Sequence, residues 1–111
     1  MTLEELIRRY RRLDDYFDEK FPQLKNEYRI LARLGKITEE LGELNSAVHG
    51  KLGLHRQEKQ KQYSSQEIAT EWADLFNTVL LFGIVMDIDM PEALEKRLEE
   101  VFQRLGIDET D

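Results

Sequence analysis

Apolar residues recur along almost the whole chain with the period of an α-helix, and nowhere with the two-residue period of a strand. Capping pairs punctuate that rhythm: Thr2 with Glu5, Ser64 with Glu67, and Asp89 with Glu92. The first opens a helix whose buried face reads as Leu3, Leu6, Ile7, Tyr10, Leu13 and Phe17. Arg8, Arg9, Arg11, Arg12, Asp14, Asp15 and Asp18 are expected in water, and the helix should stop before Pro22. A second helix is predicted over 27–48 on Ile30, Leu34, Ile37, Leu41, Leu44 and Val48. Gly35 and Gly42 lie inside it. Each costs ~1 kcal/mol relative to alanine, which close helix approach or a nearby ligand would explain; a break at Gly35 is the alternative. Residues 49–53 read as a C-terminal cap and exit.

Residues 50–63 are polar and read as a loop with a helical turn near 56–61. The third helix, about 65–86, carries Ile68, Trp72, Leu75 and Val79 as one stripe, and its second half is apolar nearly all round. Such a helix is buried on more than one side, which marks it as central and as a subunit interface. The last helix tolerates Pro91 in its first turn, uses Leu94, Leu98, Val101, Phe102 and Leu105, and closes at Gly106. The expected fold class is all-α, four helices in a single domain over 1–111.

Composition narrows the function. There is no cysteine, so neither a disulfide framework nor a thiolate metal site is available. The charged, amphipathic N-terminus lacks the apolar core of a signal peptide, and the longest apolar run, 79–86, is too short to cross a bilayer. A cytoplasmic protein with no membrane partner is the default expectation. The net charge of −7 argues against binding a nucleic-acid polymer. Residues 49–63 nevertheless carry +3 with histidine neutral, through Lys51, Arg56, Lys59 and Lys61 against Glu58. A basic segment beside an acidic cluster suits a metal–phosphate ligand; a solvated loop looks the same.

Two carboxylate pairs stand out among 23 acidic residues. Glu40 and Glu43 are three apart on the second helix, and Glu71 and Asp74 repeat that step on the third, so each pair can reach a common point. Other acidic pairs, such as Asp15–Asp18 and Glu92–Glu95, have a cation one turn away; of these four residues only Glu40 does, in Lys36. All four lie between core positions, where mutually repelling carboxylates are costly unless a positive group sits among them. An oxygen-only set favours Mg²⁺ or Mn²⁺ over zinc. A di-iron bundle needs Glu-x-x-His pairs, which are missing, and no nucleophilic triad is in sight. A structural acidic patch remains the alternative.

Glu39-Glu40-Leu41-Gly42-Glu43 followed by Glu71-Trp72-Ala73-Asp74 resembles the EExxE…ExxD signature of the MazG-like all-α nucleoside triphosphate pyrophosphohydrolases. That superfamily also includes dimeric dUTPases and dCTP pyrophosphatases. The resemblance covers roughly 27–105. It implies a MazG-like bundle completed by oligomerisation, as a homodimer or homotetramer, with Mg²⁺ held by Glu40, Glu43, Glu71 and Asp74. Glu39 would orient water, and Glu39 or Glu43 would take its proton. The implied reaction cleaves a nucleoside triphosphate to the monophosphate and pyrophosphate, in nucleotide-pool house-cleaning. Candidate substrate contacts are Lys51, Arg56, Lys59 and Lys61, Lys96 and Arg104 on the last helix, Trp72 and Asn77. For the basic residues solvation is the competing account, and for Trp72 it is core packing. A non-catalytic interaction module that retains the signature is the alternative function.

Overall fold

The computed structural model describes residues 1–23, 25–54 and 64–108. Among them are four helices and no strand: α1 (Leu3–Lys20), α2 (Asn26–Lys51), α3 (Ser65–Val85) and α4 (Met90–Leu105). The boundaries follow local chemistry. Thr2 accepts from the Glu5 amide at 3.1 Å while Glu5 accepts from the Thr2 amide at 2.8 Å, closing a reciprocal capping box. Ser64 and Asp89 cap α3 and α4 by accepting from the Glu67 and Glu92 amides. α2 runs unbroken through Gly35 and Gly42 and ends in a Schellman motif, with the Leu54 amide on the His49 carbonyl and Gly53 at φ 70°. Asp87, at φ 53°, ends α3 in the same way, with the Ile88 amide on the Gly83 carbonyl.

α3 is the central helix. It packs along α2 on one side and against α1 on another, and the core gathers Ile7, Leu80, Ile84 and Met90. Gly83 makes the turn into α4 possible, because Met90 packs where a side chain would otherwise stand. Beyond Met90, α4 turns Leu94, Leu98 and Leu105 outward. By length and composition α3 is long and apolar enough to cross a membrane, although its longest uninterrupted apolar run is short.

Several expectations are corrected. Asp14 is buried, not solvated, because Arg29 and Arg33 reach across from α2 to its carboxylate. Leu34, Leu41 and Val48 of the expected α2 stripe are exposed, since α3 covers only the face that carries Ile37, Leu44 and Ala47. Among the described residues Gly35 and Gly42 meet nothing within 4 Å, so no close approach there accounts for them. Trp72 is 56% exposed rather than a core residue, and stacks on Phe76 at 5.3 Å between ring centroids. The helical turn expected near 56–61 lies outside the described residues.

Candidate active site

α2 and α3 run side by side, and each presents acidic residues at the seam. Glu40 from α2 and Glu71 and Asp74 from α3 offer carboxylate oxygens that all lie within 4.8 Å of one another. All three are half-buried. Three carboxylates so close repel one another, and the strain shows on Glu40. Burial first, then the charge of Asp74, with Glu39 and Glu71 behind it, pushes its carboxyl above the ordinary pKa; Lys36 opposes. An oxygen-only set of this kind suits a divalent cation, which Glu40, Glu71 and Asp74 would hold and whose charge would offset the repulsion. Among the described residues this is the single acidic cluster with that geometry.

Glu43 is not part of the cluster. It lies three residues beyond Glu40 on α2, about 60° round the helix, and is exposed. Glu39 is exposed as well and pairs with Lys36 at 3.2 Å. The lysine nearest in sequence to the acidic pair is therefore engaged beside the triad.

Glu40 and Asp74 of the triad border a cleft of about 480 Å³ between α1, α2 and α3. Glu40 and Asp74 stand at one part of its wall, with Asn77 and Thr78 one turn further along α3. Leu13 and Phe17 of α1 and Phe21 just beyond its end also line it, and Arg29 and Arg33 of α2 complete the wall. Such a volume, with aromatic and aliphatic walls beside convergent charged and polar groups, is typical of a small-molecule site. Asn77, one of the expected substrate contacts, lines this cleft. Lys51 is exposed at the end of α2, roughly 16 Å along the axis from Glu40 at 1.5 Å per residue. Lys96 and Arg104 are exposed on α4, and Trp72 points away from the cleft into solvent. Arg56, Lys59 and Lys61 lie outside the described residues.

Sequence reasoning missed Asp14, Arg29 and Arg33. Both guanidiniums donate to one oxygen of Asp14, Arg33 at 2.7 Å. Arg33 lies over the Phe17 ring at 5.6 Å, a cation–π contact. Burial pulls the Arg33 guanidinium below its ordinary pKa and Asp14 works against that; it remains a cation at neutral pH. One signal was available: Arg33 precedes Glu40 by a heptad, so both occupy one face of α2.

A chain whose described residues form four helices, with clustered carboxylates beside a nucleotide-sized cleft, falls in the class of MazG-like all-α nucleoside triphosphate pyrophosphohydrolases. Within that class the chain belongs to the phosphoribosyl-ATP pyrophosphohydrolase family, which it matches over residues 3–103. No curated protein and no solved structure matches it. It is accordingly a hydrolase of a pyrophosphate bond in a nucleotide.

Proposed function

We propose that this protein is a Mg²⁺-dependent nucleoside triphosphate pyrophosphohydrolase, converting an NTP or dNTP to the monophosphate and pyrophosphate. The observation that carries this reading is the convergence of Glu40, Glu71 and Asp74, two of which, Glu40 and Asp74, line the cleft. These residues would hold the metal, with Glu43 drawn in from its flank; Mn²⁺ should substitute. A divalent cation held by these residues would supply positive charge against the triphosphate and would favour ionisation of the attacking water. Glu39 or Glu43 takes a proton from the attacking water, Lys36 holds Glu39 in place, and Asn77 hydrogen-bonds the nucleoside. Water adds to one phosphorus as the bridging oxygen leaves, so the products are the monophosphate and pyrophosphate. The expected role is nucleotide-pool house-cleaning in the cytoplasm. The dUTPases and dCTP pyrophosphatases of the superfamily, and the phosphoribosyl-ATP of the family's own name, set the range of substrates to try.

The same proposal includes self-association as a homodimer or homotetramer. α4 and the Trp72–Phe76–Val79 face of α3 expose large apolar side chains that a second copy would cover. No nucleic-acid polymer or membrane is needed as a partner.

The decisive experiment is a panel of NTPs, dNTPs and phosphoribosyl-ATP with Mg²⁺ or Mn²⁺, scored for pyrophosphate. Turnover of at least one is expected, lost in Glu40→Ala and Asp74→Ala while helicity persists. No turnover across the panel would favour the interaction module instead.

A further inference from the structure

Two clefts meet at Leu13 and Asn77. The first is the one bordered by Glu40 and Asp74; the second, of about 320 Å³, is lined by Leu6, Arg9, Tyr10, Leu13 and Asn77. Their walls differ in charge. The first carries carboxylates, and its cations are already paired: Arg29 and Arg33 with Asp14, Lys36 with Glu39. The second carries no carboxylate, and among the described residues Arg9 has no acidic partner. Glu5, one turn before it on α1, is held in the capping box with Thr2. The Arg9 guanidinium donates to the Met1 sulfur at 3.5 Å, a weak acceptor that an anion would replace. Tyr10 stands beside it, with its apolar body packed on the core. Burial raises the Tyr10 phenol above its ordinary pKa and the charge of Arg9 opposes, so at neutral pH the hydroxyl keeps its proton as a donor.

We propose that Arg9 and Tyr10 form an anion subsite for a phosphate group of the substrate that the acidic triad does not hold. The inference rests on the proposed nucleotide chemistry and deepens it, because that reaction still lacks a cation for the remaining phosphates: Lys51, Lys96 and Arg104 line neither cleft. The chemistry of the chamber selects the ligand. A guanidinium offers donors alone, its fork matches phosphate oxygens, and the neighbouring phenol adds a donor with no carboxylate in the wall to repel an anion. The chamber is also within reach. Asn77 follows Asp74 by about 4.5 Å along α3, and Arg9 precedes Leu13 by about 6 Å along α1, at 1.5 Å per residue. A nucleotide whose phosphate chain begins at the triad can therefore extend past the Leu13–Asn77 rim. Two parts of a substrate can supply the group: the terminal end of the triphosphate, which leaves as pyrophosphate, or a second phosphate on the far side of the nucleoside, as in phosphoribosyl-ATP.

The test is calorimetric titration of the full chain in Mg²⁺ with inorganic pyrophosphate, AMP and phosphoribosyl-AMP, the products that ATP and phosphoribosyl-ATP would leave. With the terminal phosphates at Arg9, Arg9→Met weakens pyrophosphate at least about tenfold, the loss expected of a charged donor, and spares AMP and phosphoribosyl-AMP. With the far-side phosphate there, the same variant brings phosphoribosyl-AMP to the AMP level and spares pyrophosphate. Weakening of both, with AMP spared, supports the subsite equally. Tyr10→Phe, which keeps the packing and loses the hydroxyl, should weaken the same ligand by about threefold. Arg9 is exposed, so its replacement leaves the fold in place. Arg8→Met, at an exposed arginine that lines neither cleft, should change nothing. The inference is overturned if the wild type binds neither pyrophosphate nor phosphoribosyl-AMP, if Arg9→Met leaves both unchanged, or if AMP or the Arg8→Met variant shows the same loss. Turnover that is lost in Glu40→Ala but has a KM indifferent to Arg9 would sink this inference and leave the proposed reaction standing. Arg9-dependent binding without turnover of any nucleotide would do the reverse.

Discussion

Glu40 sits where burial and three neighbouring carboxylates oppose its charge. A carboxyl whose folded-state pKa is raised favours folding at low pH. The penalty begins as pH rises through the unfolded value and is complete above the folded one. Metal-free protein should therefore be strained at this position at neutral pH and relaxed near pH 4. Glu40→Gln is expected to raise the metal-free Tm by on the order of a few degrees at pH 7 and scarcely at pH 4. Differential scanning calorimetry at the two values checks this. Mg²⁺ should stabilise the wild type, by about 2.7 kcal/mol at a hundred times its Kd, and should leave the Glu40→Gln and Asp74→Ala variants unmoved. Asp14 works in the opposite sense. Asp14→Ala strands two guanidiniums, and breaking a buried pair costs about 3–5 kcal/mol. Since Arg29 remains partly exposed, a loss of about 2–3 kcal/mol in urea unfolding is expected.

At the scale of elements, α2 carries two jobs on different faces. One face meets α3 and sets Glu40 against Glu71 and Asp74; the opposite one carries Gly35 and Gly42 with nothing near them. In open space a glycine only weakens a helix. Gly35→Ala and Gly42→Ala should each stabilise the chain by ~1 kcal/mol in denaturant melts. Destabilisation by either would mean that another chain packs on that face. The helices themselves were legible from the sequence, because capping pairs such as Thr2–Glu5 and glycines such as Gly106 act within one turn. Which side of each helix would be covered was not. Leu34 and Leu41 share a stripe with Ile37 in sequence, yet only the neighbour's position decides which of them is buried. Trp72 was misjudged for the same reason.

The whole molecule is extended for its size. Its radius of gyration is 17.5 Å, against about 13 Å for a compact domain of this length. Its accessible surface is 8826 Å², against roughly 6,400 Å² for a compact monomer of the same mass. The excess is comparable to what a stable interface removes from water. Sedimentation equilibrium should give two or four chains per particle, and Leu94→Glu with Leu98→Glu on α4 should shift the mass toward one. A monomeric wild type would remove the self-association proposal.

The sequence by itself determined that the chain is helical, where the capped helices α1, α3 and α4 begin, and that Glu40, Glu43, Glu71 and Asp74 are candidates for one metal site, since these depend on residues within a turn or a repeated spacing; α2 runs on to Lys51, three residues past its expected end. Only the tertiary structure decided that Glu43 stands aside from that cluster, that Asp14 is buried under Arg29 and Arg33, and that the Trp72 face is uncovered. The physical reason is that helical period fixes which residues share a face, while the rotation and separation of neighbouring helices fix what that face meets.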